Sequence, residues 1–169
     1  FRIDYMVEKW LERTSLLLGD EKLNKLQNAN VLVVGLGGVG AYAAEMIARA
    51  GVGRMTIADA DTVSATNINR QLIALHSTVG RHKTDVMAER LRDINPNIKL
   101  TIVSRFIKDD ETDALLDSDN FDYVVDAIDT VAPKVELLAT CMRRGIAGQS
   151  LQAHCRIDQC THPLVGIIH

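Results

Sequence analysis

The sequence predicts an α/β fold: a Rossmann-like, doubly wound, mainly parallel sheet preceded by N-terminal helices. Three observations carry this. Short β-branched runs alternate with longer helical ones, the first run ends in a glycine-rich turn that opens a helix, and aspartates close the second and fourth runs. Such alternation builds parallel strands joined by right-handed crossovers. Ligands then sit outside the carboxyl ends of the strands.

The elements follow in order. Tyr5 to Leu26 reads as two short helices interrupted near Gly19, within an N-terminal helical segment over residues 1–28. Asn30 to Val34 is a continuous apolar run of the kind buried on both faces of a parallel sheet. Val39 to Ala50 is small and apolar, with Gly51 as a helix stop. Met55 to Ala58 is the second strand and ends at Asp59. After a polar loop, Thr84 to Ile94 places Met87, Leu91 and Ile94 on one helical face, and Asn95-Pro96 stops it. Leu100 to Val103 is the third strand, and Asp109 to Leu116 a short acidic helix or turn. Tyr123 to Val125 is the fourth strand, and Pro133 to Arg144 a helix with Gly145 at its end. The nucleotide-binding domain is expected over residues 29–146. A fifth strand is due after Ile146, but Ala147-Gly148-Gln149-Ser150 has no strand pattern. Residues 147–169 therefore read as an atypical tail, with the C-terminal part of the fold missing or altered.

Composition narrows the function. The chain has 169 residues, 47% apolar and 24% charged, with net charge −3. That is the make-up of an ordinary globular domain, with neither the composition of a disordered tail nor that of a disulfide scaffold. No apolar run reaches the ~18 residues of a membrane helix, so no membrane partner is expected. The start, Phe1-Arg2-Ile3-Asp4, is neither an initiator Met nor a signal peptide, and three irregularly spaced cysteines argue for reduced thiols. A mature, processed or clipped cytoplasmic chain is expected.

Gly35-Leu-Gly-Gly-Val-Gly40 matches G-x-G-x-x-G between a strand and a helix. Glycines at 35, 37, 38 and 40 permit a tight turn and close approach of the backbone to a phosphate, and the helix N-terminus adds N–H donors. Asp59 stands where a carboxylate accepts ribose hydroxyls. These features serve a dinucleotide dehydrogenase equally well. The loop from Asp59 to Gln71 discriminates, because a dehydrogenase has no need of Asn67-x-Asn-Arg70-Gln71. Attack on an α-phosphate builds charge on the phosphoryl oxygens and the pyrophosphate, which Arg70 can clamp bidentately, while Asn67 fixes ribose or phosphate. Lys83 would be the second cation. The competing reading makes Arg70 and Lys83 solvated surface charges. Asp126 and Asp129 bracket the end of the fourth strand, where a carboxylate would hold Mg²⁺ against the phosphates or cap the next helix.

With these motifs in order, and with Val79-Gly80-x-x-Lys83, Ile94-Asn-Pro96 and Asp126-Ala-Ile-Asp129 at their spacing, the chain resembles the ThiF/HesA/MoeB-type adenylating enzymes, relatives of the ubiquitin-activating enzymes. The resemblance runs from about Arg13 to Ile146. It implies ATP and Mg²⁺, with Gly38 against the phosphates, Asp59 on the ribose, and Asn67 and Arg70 on ribose and phosphates. It also implies Lys83 on the transferring phosphate and Asp129 on the metal. Arg13 matches the arginine that such enzymes lend to a partner subunit's ATP, or is a surface charge. A homodimer is implied too. The wording of Thr66–Gln71, Val86–Arg90 and Asp126–Lys134 is most similar to the branch that dehydrates threonylcarbamoyladenosine at position 37 of tRNA. Adenylation of a ubiquitin-like sulfur-carrier protein is the alternative, and a non-catalytic nucleotide-binding fragment a further one.

The remaining residues receive simpler readings. Cys141 is expected in the core on one helical face with Val135 and Leu138. His154, Cys155, Cys160 and His162 lack the C-x-x-C pairs of a zinc site. His76 and His82 read as loop histidines, and Trp10 as packing for the N-terminal helices. Arg90, Arg92, Lys134, Arg143 and Arg144 are either a cationic surface for tRNA or solvated helix faces.

Overall fold

The computed structural model of the chain describes residues 8–107 and 111–151. Two short helices, α1 (Glu12–Leu18) and α2 (Asp20–Asn28), meet at Gly19, whose φ of 80° turns the chain between them. The strands are β1 (Asn30–Val34), β2 (Arg54–Ala58), β3 (Lys99–Val103), β4 (Tyr123–Asp126) and β5 (Ala147–Ser150). Between them run α3 (Gly40–Ala50), α4 (Lys83–Ile94), α5 (Thr112–Asp117) and α6 (Val131–Arg144). All pairings are parallel, in the order β3-β2-β1-β4-β5. The order reverses between β1 and β4, so a crevice opens at their carboxyl ends, where Val34 pairs with Ala58 on one side and Asp126 on the other.

The apolar run of β1 is buried on both faces, and its alternation explains the two cores. Val31 and Val33 join Met55 and Ile57 of β2 against Ala44 and Ala48 of α3 and Met87 and Leu91 of α4. Leu32 and Val34 face the other way, onto Leu115, Leu116, Val124, Leu137 and Cys141. Asn95 closes α4, and its side-chain amide donates to the Val52 carbonyl at 2.9 Å, tying that end to the turn before β2. No helix among the described residues is long and apolar enough to cross a membrane.

Two expectations need correction. Ala147–Ser150 is a strand, β5, in register with β4 from Tyr123↔Ala147 to Asp126↔Ser150, so the sheet runs past the expected boundary at residue 146. On α6 the buried face carries Lys134, Leu137, Thr140 and Cys141, while Val135 is 58% exposed. Cys141 is a core thiol as expected, and burial pushes its pKa up. The cysteines and histidines from 154 onward lie outside the described residues, as do residues 109 and 110 of the expected acidic helix, which is described as α5 from Thr112.

Glu45 of α3 is buried between Arg49 and Arg90. The hydrogen bond from Arg90 above all, with Arg49, holds its carboxyl below the ordinary value of 4.5 against the opposing effect of burial. A carboxylate with a lowered native pKa adds stability above its unfolded value, and that stability is lost as pH falls through the native one. Glu45→Gln is therefore expected to destabilise at neutral pH and to flatten the loss of stability below about pH 4.5. Urea unfolding across that range checks it; parallel stability–pH curves for the two proteins would contradict it.

Candidate functional site

A cavity of about 960 Å³ opens at the switch point, within the size range of small-molecule sites. The carboxyl end of each strand contributes to its wall. Gly35, Gly37, Gly38 and Val39 come from the turn after β1; Asp59, Asp61, Asn67, Arg70, Gln71 and Lys83 from the long segment after β2. Arg105 and Phe106 follow β3, and Ala127, Ile128 and Asp129 follow β4. Leu151 closes the wall after β5.

The glycines divide the work. Gly35 has φ 91°, and a Cβ there would lie 2.6 Å from the Ala127 carbonyl oxygen. A Cβ on Gly40 would strike the Gly35 carbonyl and come within 2.9 Å of Ala127 Cβ. These two glycines let α3 and the β4 loop close on the turn, and Gly40 does not itself line the cavity. Gly37 and Gly38 have no atom nearer than 3.7 Å to such a Cβ and lie in the cavity wall, so their backbone is open to a ligand.

Asp59 is tied to that turn. Its Oδ2 accepts from the Leu36 N–H at 2.6 Å and its Oδ1 from the Asp61 N–H at 2.8 Å. Each oxygen keeps a lone pair for a further donor. The segment from 59 to 83 then folds back on itself: Val63 N–H donates to Arg81 O, Gly80 N–H to Val63 O, and Lys83 N–H to Asp61 O at 3.0 Å. This return brings Lys83, the first residue of α4, beside Asp61, and its Nζ donates to Asp61 Oδ2 at 2.8 Å. Within the loop Asn67 Oδ1 accepts from Ser64 N–H, and Arg70 Nη1 donates to Thr66 O and to Asn69 Oδ1, both at 3.0 Å. Gln71 is buried, and its Oε1 has no hydrogen-bond partner.

The two aspartates after β4 have different fates. Asp126 is fully buried: its Oδ2 accepts from Lys134 Nζ at 2.6 Å and from Ser150 Oγ at 2.8 Å, and its Oδ1 from the Ile128 N–H. Asp129 is exposed on the cavity wall, and among the described residues its one hydrogen bond comes from the Thr130 hydroxyl at 3.4 Å. The cap of α6 is Thr130, not Asp129, so helix capping does not account for this carboxylate.

Asp59, Asn67, Arg70, Lys83 and Asp129 thus converge on one cavity with Gly35, Gly37 and Gly38. Arg13, exposed on α1, is not part of that wall. The helix cations that could form either a tRNA surface or solvated faces are largely paired. Lys134 is buried on Asp126, Arg90 pairs with Glu45, Arg143 with Glu136, and Arg144 with Asp113 and Asp117. Arg92 alone of the five has no ion pair or hydrogen bond among the described residues. Arg105, paired with Glu111 at 2.7 Å, and Phe106 were not anticipated. They follow β3, and the rule that every strand end opens onto the crevice would have found them.

The profile of the ThiF family matches residues 11–157. The chain belongs to the ThiF family. Among its ThiF relatives, tRNA threonylcarbamoyladenosine dehydratase from Escherichia coli (strain K12) is 44% identical over 142 residues, 82% of this chain and 53% of that protein. Molybdopterin-synthase adenylyltransferase from the same organism is 41% identical over 116 residues, 69% of this chain and 46% of that protein. The crystal structure of the E. coli dehydratase in complex with ATP superposes with a TM-score of 0.79 at 45% identity, covering 82% of this chain and 56% of that one. The chain spans about half the length of the curated relatives it matches.

The cavity of this ThiF chain has features that suit a nucleoside triphosphate. Gly37 and Gly38 leave backbone uncovered at a helix entrance, Asp59 has acceptor capacity, and Arg70 and Lys83 supply positive charge. The buried acceptor on Gln71 requires a donor from a ligand or water. Among the described residues no three potential ligands form a metal cage. The single free carboxylate of Asp129 fits Mg²⁺, which takes one or two carboxylates alongside phosphate oxygens and water.

Proposed function

We propose that this chain is the nucleotide-binding part of an enzyme that activates a carboxylate by adenylation with ATP, and that the carboxylate belongs to threonylcarbamoyladenosine at position 37 of tRNA. The observation that carries the adenylation is the meeting of Arg70, Lys83 and Asp129 with the glycine turn in one cavity. The choice of substrate is supported by the likeness to tRNA threonylcarbamoyladenosine dehydratase, which covers more of the chain than the likeness to molybdopterin-synthase adenylyltransferase.

The residues would act as follows. Asp59 accepts the ribose hydroxyls, with Asn67 at the ribose or phosphates, and the Gly37–Gly38 backbone lies along the triphosphate. Asp129 would hold Mg²⁺, which supplies charge neutralisation to the phosphate oxygens. A substrate carboxylate oxygen attacks the α-phosphorus, the bond to pyrophosphate breaks, and Arg70 and Lys83 stabilise the charge that grows on the phosphoryl oxygens. The carbamoyl group of the same nucleoside then attacks the acyl-adenylate, AMP leaves and a ring closes. The nucleoside loses one water overall. No covalent nucleophile from the protein is needed; positioning and electrostatics carry the reaction. A homodimer in which Arg13 reaches the partner's nucleotide, and a cytoplasmic setting, belong to the same reading.

The test uses α-labelled ATP and tRNA bearing the threonylcarbamoyl modification, with the intact protein. AMP release with loss of one water from the nucleoside is expected. Pyrophosphate release with an α-labelled acyl-adenylate formed only on a sulfur-carrier protein would transfer the assignment to that substrate, and binding of NAD without affinity for ATP would overturn adenylation altogether. The helix cations that are spent in ion pairs make a steep salt dependence through that surface unexpected.

A further inference from the structure

We propose that Asp61 is a positioning residue for the reaction: it anchors the Lys83 ammonium so that the lysine meets the transferring phosphate in a fixed place. The inference rests on the reading of the cavity as an ATP site. The pair is lopsided. The Lys83 side chain is 6% exposed, that of Asp61 70%. A surface ion pair between two solvated side chains contributes little, but here the lysine is the buried member and Asp61 is its one hydrogen-bond partner among the described residues. An ammonium has three donors. Asp61 takes one, and two remain for phosphate oxygens.

Asp61 is itself held at both ends. Its N–H donates to Asp59 Oδ1 at 2.8 Å and its carbonyl accepts from the Lys83 N–H at 3.0 Å. One residue therefore links the carboxylate placed for the ribose to the cation placed for the phosphate. These are adjacent groups in a nucleotide, so fixing the distance between their protein partners fixes the geometry of attack. A lysine on a flexible stem is the kind of cation that needs such an anchor. Asp61 also carries a negative charge beside a polyanion, so it opposes ground-state binding. Its benefit has to fall on the chemical step.

The test compares Asp61→Ala, Asp61→Asn, Lys83→Ala and the Asp61→Ala/Lys83→Ala double variant in the intact protein. Turnover is measured beside affinity for a non-hydrolysable ATP analogue by calorimetry. Asp61→Ala is expected to lower kcat by about ten- to hundredfold, the scale of a misplaced catalytic group. Its analogue affinity should be unchanged or tighter. Asp61→Asn, which keeps an acceptor oxygen, should recover part of the rate, and the double variant should be no slower than Lys83→Ala. A normal kcat in Asp61→Ala with an impaired Lys83→Ala, or losses that add in the double variant, would overturn the positioning role and leave the ATP reading standing. Normal turnover in Lys83→Ala would remove the lysine from the reaction and the positioning role of Asp61 with it, whereas a parent protein with no affinity for the ATP analogue would overturn the ATP reading itself.

Discussion

Lys83→Ala is expected to cut turnover at least about 10²–10³-fold, the cost of removing one preorganised contact to a developing charge, while the protein remains folded. The buried ammonium lies in the wall of the cavity and has donors to spare after Asp61. Its removal leaves behind a carboxylate that is 70% exposed, so no uncompensated charge is trapped in the interior. Arg70→Ala should lose turnover on the same scale. Its guanidinium sits at the exposed rim, and the Thr66 carbonyl and Asn69 side chain it leaves can turn to water. Single-turnover AMP formation and a thermal melt of each variant check the two halves of this expectation. Turnover within a few-fold of the parent in either variant would remove that residue from the reaction, and an unfolded variant would show that it holds the loop instead.

What the sequence reveals of this site depends on how local the cause is. The glycine turn, Asp59 and the Asn67–Gln71 run are legible because each forms within a few residues of chain. Asp61 as the partner of Lys83 is not, because the pair is made by the return of the loop through Val63, Gly80 and Arg81. The sheet divides in the same way. Strands β1 and β4 announce themselves by apolar residues, but Ala147–Ser150 contains none of the branched side chains that mark a strand. Its strand character comes from its neighbour: a Cβ at Gly148 would lie 2.8 Å from the Val124 carbonyl, so a glycine lets β5 approach β4. The buried face of α6 departs from the apolar pattern for a related reason. Apolar spacing favours Val135 and Leu138, yet Asp126 draws Lys134 inward, and the helix buries Lys134, Leu137 and Cys141 instead. An ion pair between elements outranks hydrophobic period there, and no single segment displays it.

That ion pair should therefore govern stability more than any surface charge. Lys134 Nζ reaches Asp126 at 2.6 Å, Ser150 Oγ at 2.9 Å and the Leu151 carbonyl at 3.4 Å, joining β4, α6 and the end of β5. Asp126 has no exposed surface. Lys134→Ala would leave its carboxylate buried with only the Ser150 hydroxyl and the Ile128 N–H, and breaking a buried pair in this way costs about 3–5 kcal/mol. For a domain of this size that corresponds to a fall in Tm of roughly 10 °C. The effect should reach the site as well, because Asp126 Oδ1 accepts from the Ile128 N–H and so steadies the loop that carries Asp129. Replacing both members, as Asp126→Asn with Lys134→Met, removes the stranded charge and should be milder than Lys134→Ala alone. Urea unfolding of the three proteins, with nucleotide affinity measured beside it, tests this. A loss below about 1 kcal/mol in Lys134→Ala, the scale of an exposed pair, would show that Asp126 finds another partner, and the link from β5 to the loop that carries Asp129 would then be broken.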